Sequence, residues 1–163
     1  MADRAGFEAF YAGHLPRVVR ACALVLLDRL DRAEAEDVAA EAFARLWSHW
    51  GRIHGEDHAG GYVFTTAMRL CWKRRRRATR EVPGEVPERQ GGAHDPTDRE
   101  AVVEALRALP LRQRQSVVLR DWAGFPTDEV ARMLGAKQST VRVHLARGRA
   151  ALRERLSVEE RDG

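Results

Sequence analysis

The stretch TDEVARMLGAKQSTVRVHLARGR, Thr127 to Arg149, decides the fold. Val130, Ala131 and Leu134 recur at the spacing of a helix's inner stripe, and Gly135 follows as the residue type that enters a left-handed turn without strain. Ser139 or Thr140 can cap a second helix, because a hydroxyl oxygen there accepts from an amide left free at a helix start. The pattern predicts a helix-turn-helix. On its second helix Val141, Leu145, Gly148, Leu152 and Leu156 fall within about 80° of arc at the helical period, which makes them the buried face. Arg142, Val143, Ala146 and Arg147 lie on the other side. An outward valine among arginines suits a DNA major groove: guanidinium forks reach guanine edges or phosphates, and a valine methyl meets a thymine methyl.

Working outward, 163 residues with 44% hydrophobic content suffice for one ordinary or two small packed domains. The formal charge of +4 is unevenly spread: residues 73–80 hold six cations and no acid, whereas 81–100 hold six acids against two arginines. That second block, with Pro83, Pro87, Pro96 and three glycines, lacks the large apolar residues a core requires. It predicts a flexible linker over 78–98 joining two small helical domains, 5–77 and 99–156. Neither flank alternates apolar and polar residues over a strand's length, so the fold class is all-α.

Within the first domain, AEAEDVAAEAFARLWSHW places Val38, Ala39, Ala42, Phe43, Leu46 and Trp50 on one helix face. Asp37, Glu41, Ala44 and Ser48 line the opposite one, a strip suited either to solvent or to a partner's basic helix. Downstream, Tyr62, Phe64 and Trp72 precede five adjacent cations, Lys73, Arg74, Arg75, Arg76 and Arg77. Rings that stack on bases beside cations that pair with phosphates are what single-stranded DNA requires, although Tyr62 or Phe64 can equally serve as core, and a polyanion relieves the repulsion within the run.

Several function classes are disfavoured. HGEDH, residues 54–58, has two histidines four apart but a glycine where a zinc-protease helix carries glutamate, so no metal site is expected. No nucleophile–base arrangement, phosphate-cradling loop or paired carboxylate stands out, and neither catalysis nor a cofactor is expected. Cys22 and Cys71 lack CxxC spacing, ACALVLL is too short to cross a bilayer, and the N-terminus has no basic start or cleavage site. These features predict a cytoplasmic protein without a membrane anchor.

AEDVAAEAFARLW, GYVFTTAMR, ALPLRQRQSVVLRDWAGFPTDEVARMLG and STVRVHLARGRAALR together resemble an extracytoplasmic-function (ECF) sigma factor, over residues 7–156. The resemblance implies a dissociable subunit of bacterial RNA polymerase whose first domain melts the −10 element and whose second reads the −35 element. It implies −35 contacts from Lys137, Gln138, Ser139, Thr140, Arg142, Val143, Ala146 and Arg147. It implies −10 contacts from Tyr62, Thr65, Arg69, Trp72 and the 73–77 run, and core-polymerase docking by Asp37, Glu41, Ala44 and Ser48. The family's usual glutamine is Ala40 here, its tryptophan is Tyr62, its asparagine is Arg69 and an acidic residue is Lys73. Promoter DNA, core RNA polymerase and an anti-sigma protein are the implied partners. A stand-alone helix-turn-helix regulator would need a dimerisation seam, and no heptad pattern supplies one. A degenerate sigma-like interaction module is the remaining alternative.

Overall fold

The computed structural model describes residues 3–27, 32–53, 55–81 and 98–162, and no strand occurs among them. Three helices form the first half: α1 (Arg4–Val25), α2 (Arg32–His49), which ends in a 3₁₀ turn at Trp50–Arg52, and α3 (Glu56–Glu81). Four form the second: α4 (Asp98–Arg107), α5 (Leu111–Val117), whose last turn widens into a π turn over Val118–Trp122, α6 (Thr127–Leu134) and α7 (Gln138–Asp162). Helix α3 continues four residues past the expected domain end at 77, since ATRE, residues 78–81, contains no helix breaker and the next proline is Pro83. Most of the expected linker, residues 82–97, lies outside the described residues.

The periodic apolar residues become the core. Val18, Cys22 and Val25 of α1, Val38, Ala42 and Leu46 of α2, and Val63, Ala67 and Cys71 of α3 are all fully buried. Each large apolar side chain so buried stabilises the fold by about 1.5–3 kcal/mol. Cys22 and Cys71 are both free thiols; the hydrogen bond with Cys22, reinforced by burial, pushes the Cys71 thiol well above its ordinary range. In the second half Val118, Leu119, Val130 and Val141 play the corresponding part. Helix α7 approaches α5 closely at Gly148, where an added Cβ would sit 3.0 Å from Val117 Cγ2.

The two halves share one continuous core. Phe64 of α3 meets Phe125, just before α6, edge to face at 4.9 Å. Arg17 of α1 lies over both rings and donates to the carbonyl of Ala123. The fully buried Arg114 donates to the carbonyls of Leu106 (2.9 Å), Arg107 (2.8 Å), Leu109 (3.0 Å) and, across the seam, Val25 (2.8 Å). These oxygens cluster at the C-terminal ends of α4 and α1, where carbonyls lack intrahelical partners and carry partial negative charge, so they accommodate a buried cation. Gln115 Nε2 donates to the carbonyl of Met68 at 3.3 Å, and Arg107 Nε to that of Leu27 at 3.1 Å.

Candidate nucleic-acid interface

The helix-turn-helix forms around Gly135, whose φ of +61° closes α6, with Ala136 N donating to the Ala131 carbonyl at 2.9 Å. Ser139 and Thr140 do not cap α7. The helix begins at Gln138, with Val141 N already donating to the Lys137 carbonyl at 3.0 Å, so both hydroxyl residues sit in its first turn. That earlier start carries Lys137, Gln138, Ser139 and Thr140 to the exposed leading end of the helix. Val141 and Leu145 are buried, whereas Arg142, Val143, Ala146 and Arg147 are exposed, Val143 by 46%. Arg142 Nη2 reaches Gln138 Oε1 at 3.3 Å, a contact weak enough to yield to a base edge. His144, between the two faces, has an Nδ1 with no hydrogen-bond partner among the described residues. Burial, then Arg112 and Arg147, hold its imidazole below the ordinary range, which keeps it neutral near pH 7.

On α3, Tyr62, Thr65, Arg69, Trp72, Lys73, Arg76 and Arg77 fall in an arc of about 140° at the helical period. Arg74 and Arg75 lie outside it, because five consecutive residues wrap fully around a helix and cannot share one face. Arg74 turns back to α2, pairing with Glu34 Oε2 and lying 3.7 Å from Glu41 Oε2. A cavity of about 410 Å³ opens beside the arc, lined by Arg45, His58, Gly61, Tyr62, Thr65, Thr66 and Arg69. Tyr62 OH lies 3.2 Å from His49 Nδ1, and Thr65 Oγ1 donates to the Gly61 carbonyl at 2.7 Å. Arg45, His58 and Thr66 were missed in the sequence; Arg45 comes from α2, and only the crossing of the two helices brings it there. Phe64 belongs to the core. Trp72 is half-buried, with the Arg112 guanidinium 4.5 Å from its ring.

On α2, Asp37, Ala44 and Ser48 are exposed and Glu41 is partly so. Glu41 Oε1 accepts from Arg45 Nη2 at 2.6 Å, and Ser48 Oγ donates to the Arg45 carbonyl at 2.7 Å. Beside this strip stand Trp47, 40% exposed, and Tyr11, joined through Phe7, whose ring lies 4.8 Å from that of Trp47. Among the described residues no three His, Cys, Asp or Glu side chains are grouped to hold a metal, and no helix is long and apolar enough to cross a membrane.

The family model for sigma-70 region 2 matches residues 10–81, and that for sigma-70 region 4 matches residues 99–152. The chain belongs to the sigma-70 family of RNA polymerase sigma factors. The RNA polymerase sigma-E factor of Streptomyces coelicolor is 30% identical, over 99% of this chain and 92% of the relative. That of Streptomyces antibioticus is 33% identical over 81% of this chain and 76% of its own. The ECF RNA polymerase sigma factor SigM of Mycobacterium tuberculosis is 27% identical over 92% and 76%. Among solved structures, the sigma factor RpoE of Bartonella quintana, crystallised with the anti-sigma factor NepR, shares the fold with a TM-score of 0.75. It is 20% identical, over 94% of this chain and 98% of that one. The sigma factor is thus a non-catalytic initiation factor of the ECF type, built from two helical domains, and the stand-alone regulator is not favoured.

Proposed function

We propose that the α7 face of Lys137, Gln138, Ser139, Thr140, Arg142, Val143, Ala146 and Arg147 reads the duplex −35 element. The α3 face with its basic cavity takes the separated −10 strand, and Asp37, Glu41, Ala44 and Ser48 dock to core RNA polymerase. The observation that carries this reading is the phase of α7: Val141 buried and Val143 exposed on one helix, with cations flanking the exposed side. Mechanistically, the chain binds and supplies no chemistry. Polymerase holds its two domains at the separation of the promoter elements, so that two weak contacts act together through high effective concentration. Arg74, off the α3 arc, ties α3 to the docking helix, whereas Arg75, also off the arc, is kept with the basic run that meets the −10 strand. A first domain that runs to the end of α3 at Glu81, a second over 99–156, a cytoplasmic location and an anti-sigma partner complete the reading. The test is to add the purified chain to core polymerase and measure promoter-dependent initiation; inactivity on a range of promoters together with tight free binding to palindromic DNA overturns it.

A further inference from the structure

We propose that Arg45, on the docking helix α2, is a contact for a backbone phosphate of the separated −10 strand. This rests on the assignment of the α3 cavity to that strand. At the helical period Arg45 lies about 80° around α2 from Asp37, off the docking strip. There it lines the cavity of about 410 Å³ together with Tyr62, Thr65, Thr66 and Arg69 of α3. The docking helix thus supplies one wall of the site assigned to DNA.

The lining favours an oxyanion. Thr65 and Thr66 spend their hydroxyl protons on the carbonyls of Gly61, at 2.7 Å, and Tyr62, at 2.8 Å, so neither keeps a donor for a ligand. No carboxylate lines the cavity among the described residues. The strong donors are the guanidiniums of Arg45 and Arg69, each a planar fork that matches the oxygens of a phosphate. Tyr62 lines the same cavity, so a base stacked on its ring leaves the adjoining phosphate beside the cations, the pairing that single-stranded DNA uses.

Arg45 is held ready for this contact. Its Nη2 donates to Glu41 Oε1 at 2.6 Å, and the other oxygen of that carboxylate lies 3.7 Å from Arg74 Nη2 on α3. Glu41 therefore divides its charge between two guanidiniums and neutralises neither. A guanidinium carries five N–H donors, so the bond to Glu41 leaves others for a phosphate. The Arg45 side chain is 51% exposed, which opens it to a strand arriving from solvent.

The test uses purified holoenzyme, made from core polymerase and the full chain, and the anisotropy of fluorescent single-stranded 12-mers across a salt series. Arg45→Ala is expected to weaken binding about fivefold at 0.1 M salt and to lower the salt slope by about 0.7, the share of one single-strand phosphate. The loss should be equal for 12-mers enriched in each of the four bases. Arg45→Lys, which keeps the charge, should restore the slope, whereas Arg45→Gln should behave as the alanine variant does. Unchanged affinity and slope in Arg45→Ala overturn the proposal; a loss with Arg69→Ala beside them leaves the α3 assignment standing. Failure of the wild-type holoenzyme to bind any 12-mer removes both. A loss confined to strands rich in one base makes Arg45 a base reader and overturns the phosphate contact. If Arg45→Lys loses the slope as fully as Arg45→Ala and both melt earlier than wild type, the residue is structural and the proposal falls.

Discussion

Arg149 of α7 grips Asp121 of the π turn with both arms of its guanidinium, Nε at 2.8 Å from Oδ2 and Nη2 at 2.6 Å from Oδ1. The fork fixes α7 against the turn that precedes α6, which braces the helix-turn-helix from within. The hydrogen bond from Arg149 holds the Asp121 carboxyl below the ordinary carboxylate range. A lowered pKa means that the stabilisation is present above the unfolded value of about 4 and is lost as pH falls through the folded one. Asp121→Asn is expected to lower stability by about 0.2–1 kcal/mol at pH 7, since both side chains are partly exposed. Thermal melts from pH 6 to pH 2 should show the difference from wild type vanish at the acid end; a gap independent of pH excludes the ion pair as its source.

The α7 phase separates two valines. Val143→Ser should leave folding intact, change discrimination at a thymine and leave the salt dependence of holoenzyme–promoter binding unaltered. Val141→Ser should destabilise the domain, because Val141 is fully buried. If the two behave alike, the buried and DNA-facing sides are misassigned.

Arg142 and Arg147 should differ in kind. Arg142→Ala is expected to weaken −35 binding by about 1–3 kcal/mol and relax preference at one base pair. Arg147→Ala, a turn later, should weaken all sequences alike and reduce the salt slope by about one unit, as loss of a phosphate contact does. Holoenzyme binding to −35 variants across a salt series distinguishes the two.

Charge reversal on α2 should separate docking from folding. Asp37 is exposed, so Asp37→Lys is expected to weaken core-polymerase binding with stability unchanged to within about 0.5 kcal/mol. Glu41→Lys places a cation beside Arg45 and Arg74 and should weaken both. Undiminished polymerase affinity in both variants removes the strip from the docking surface.

Gly148→Val adds bulk where α7 already leaves only 3.0 Å to Val117 Cγ2 for a Cβ, and overpacking of this kind destabilises by about 1–3 kcal/mol. Urea denaturation of the full chain measures it, and a variant as stable as wild type would show that the helices part freely there.

What the sequence disclosed was what local period governs. The inward set from Val130 to Leu145, the glycine turn and the outward Val143 follow from 3.6-residue repetition alone. Helix starts were harder: Ser139 and Thr140 are good caps by type, but the chain turns into α7 before reaching them. Partners distant in sequence stayed hidden. Arg74 meets Glu34, forty positions earlier, and Trp72 meets Arg112, forty positions later, and no periodicity encodes either pairing. Phe64, nine positions before the cation run, suits either a base or the core by sequence, and packing claims it for the seam.

The way Arg114 is satisfied sets how the molecule responds to ionic strength. Contacts to phosphates and to a charged protein surface weaken as salt screens them, with DNA affinity falling steeply as counterions compete. The bond from the Arg114 guanidinium to the Val25 carbonyl is buried and ends on a backbone dipole, so added salt scarcely reaches it. Rising salt therefore weakens the outward contacts while leaving the bond to Val25 intact.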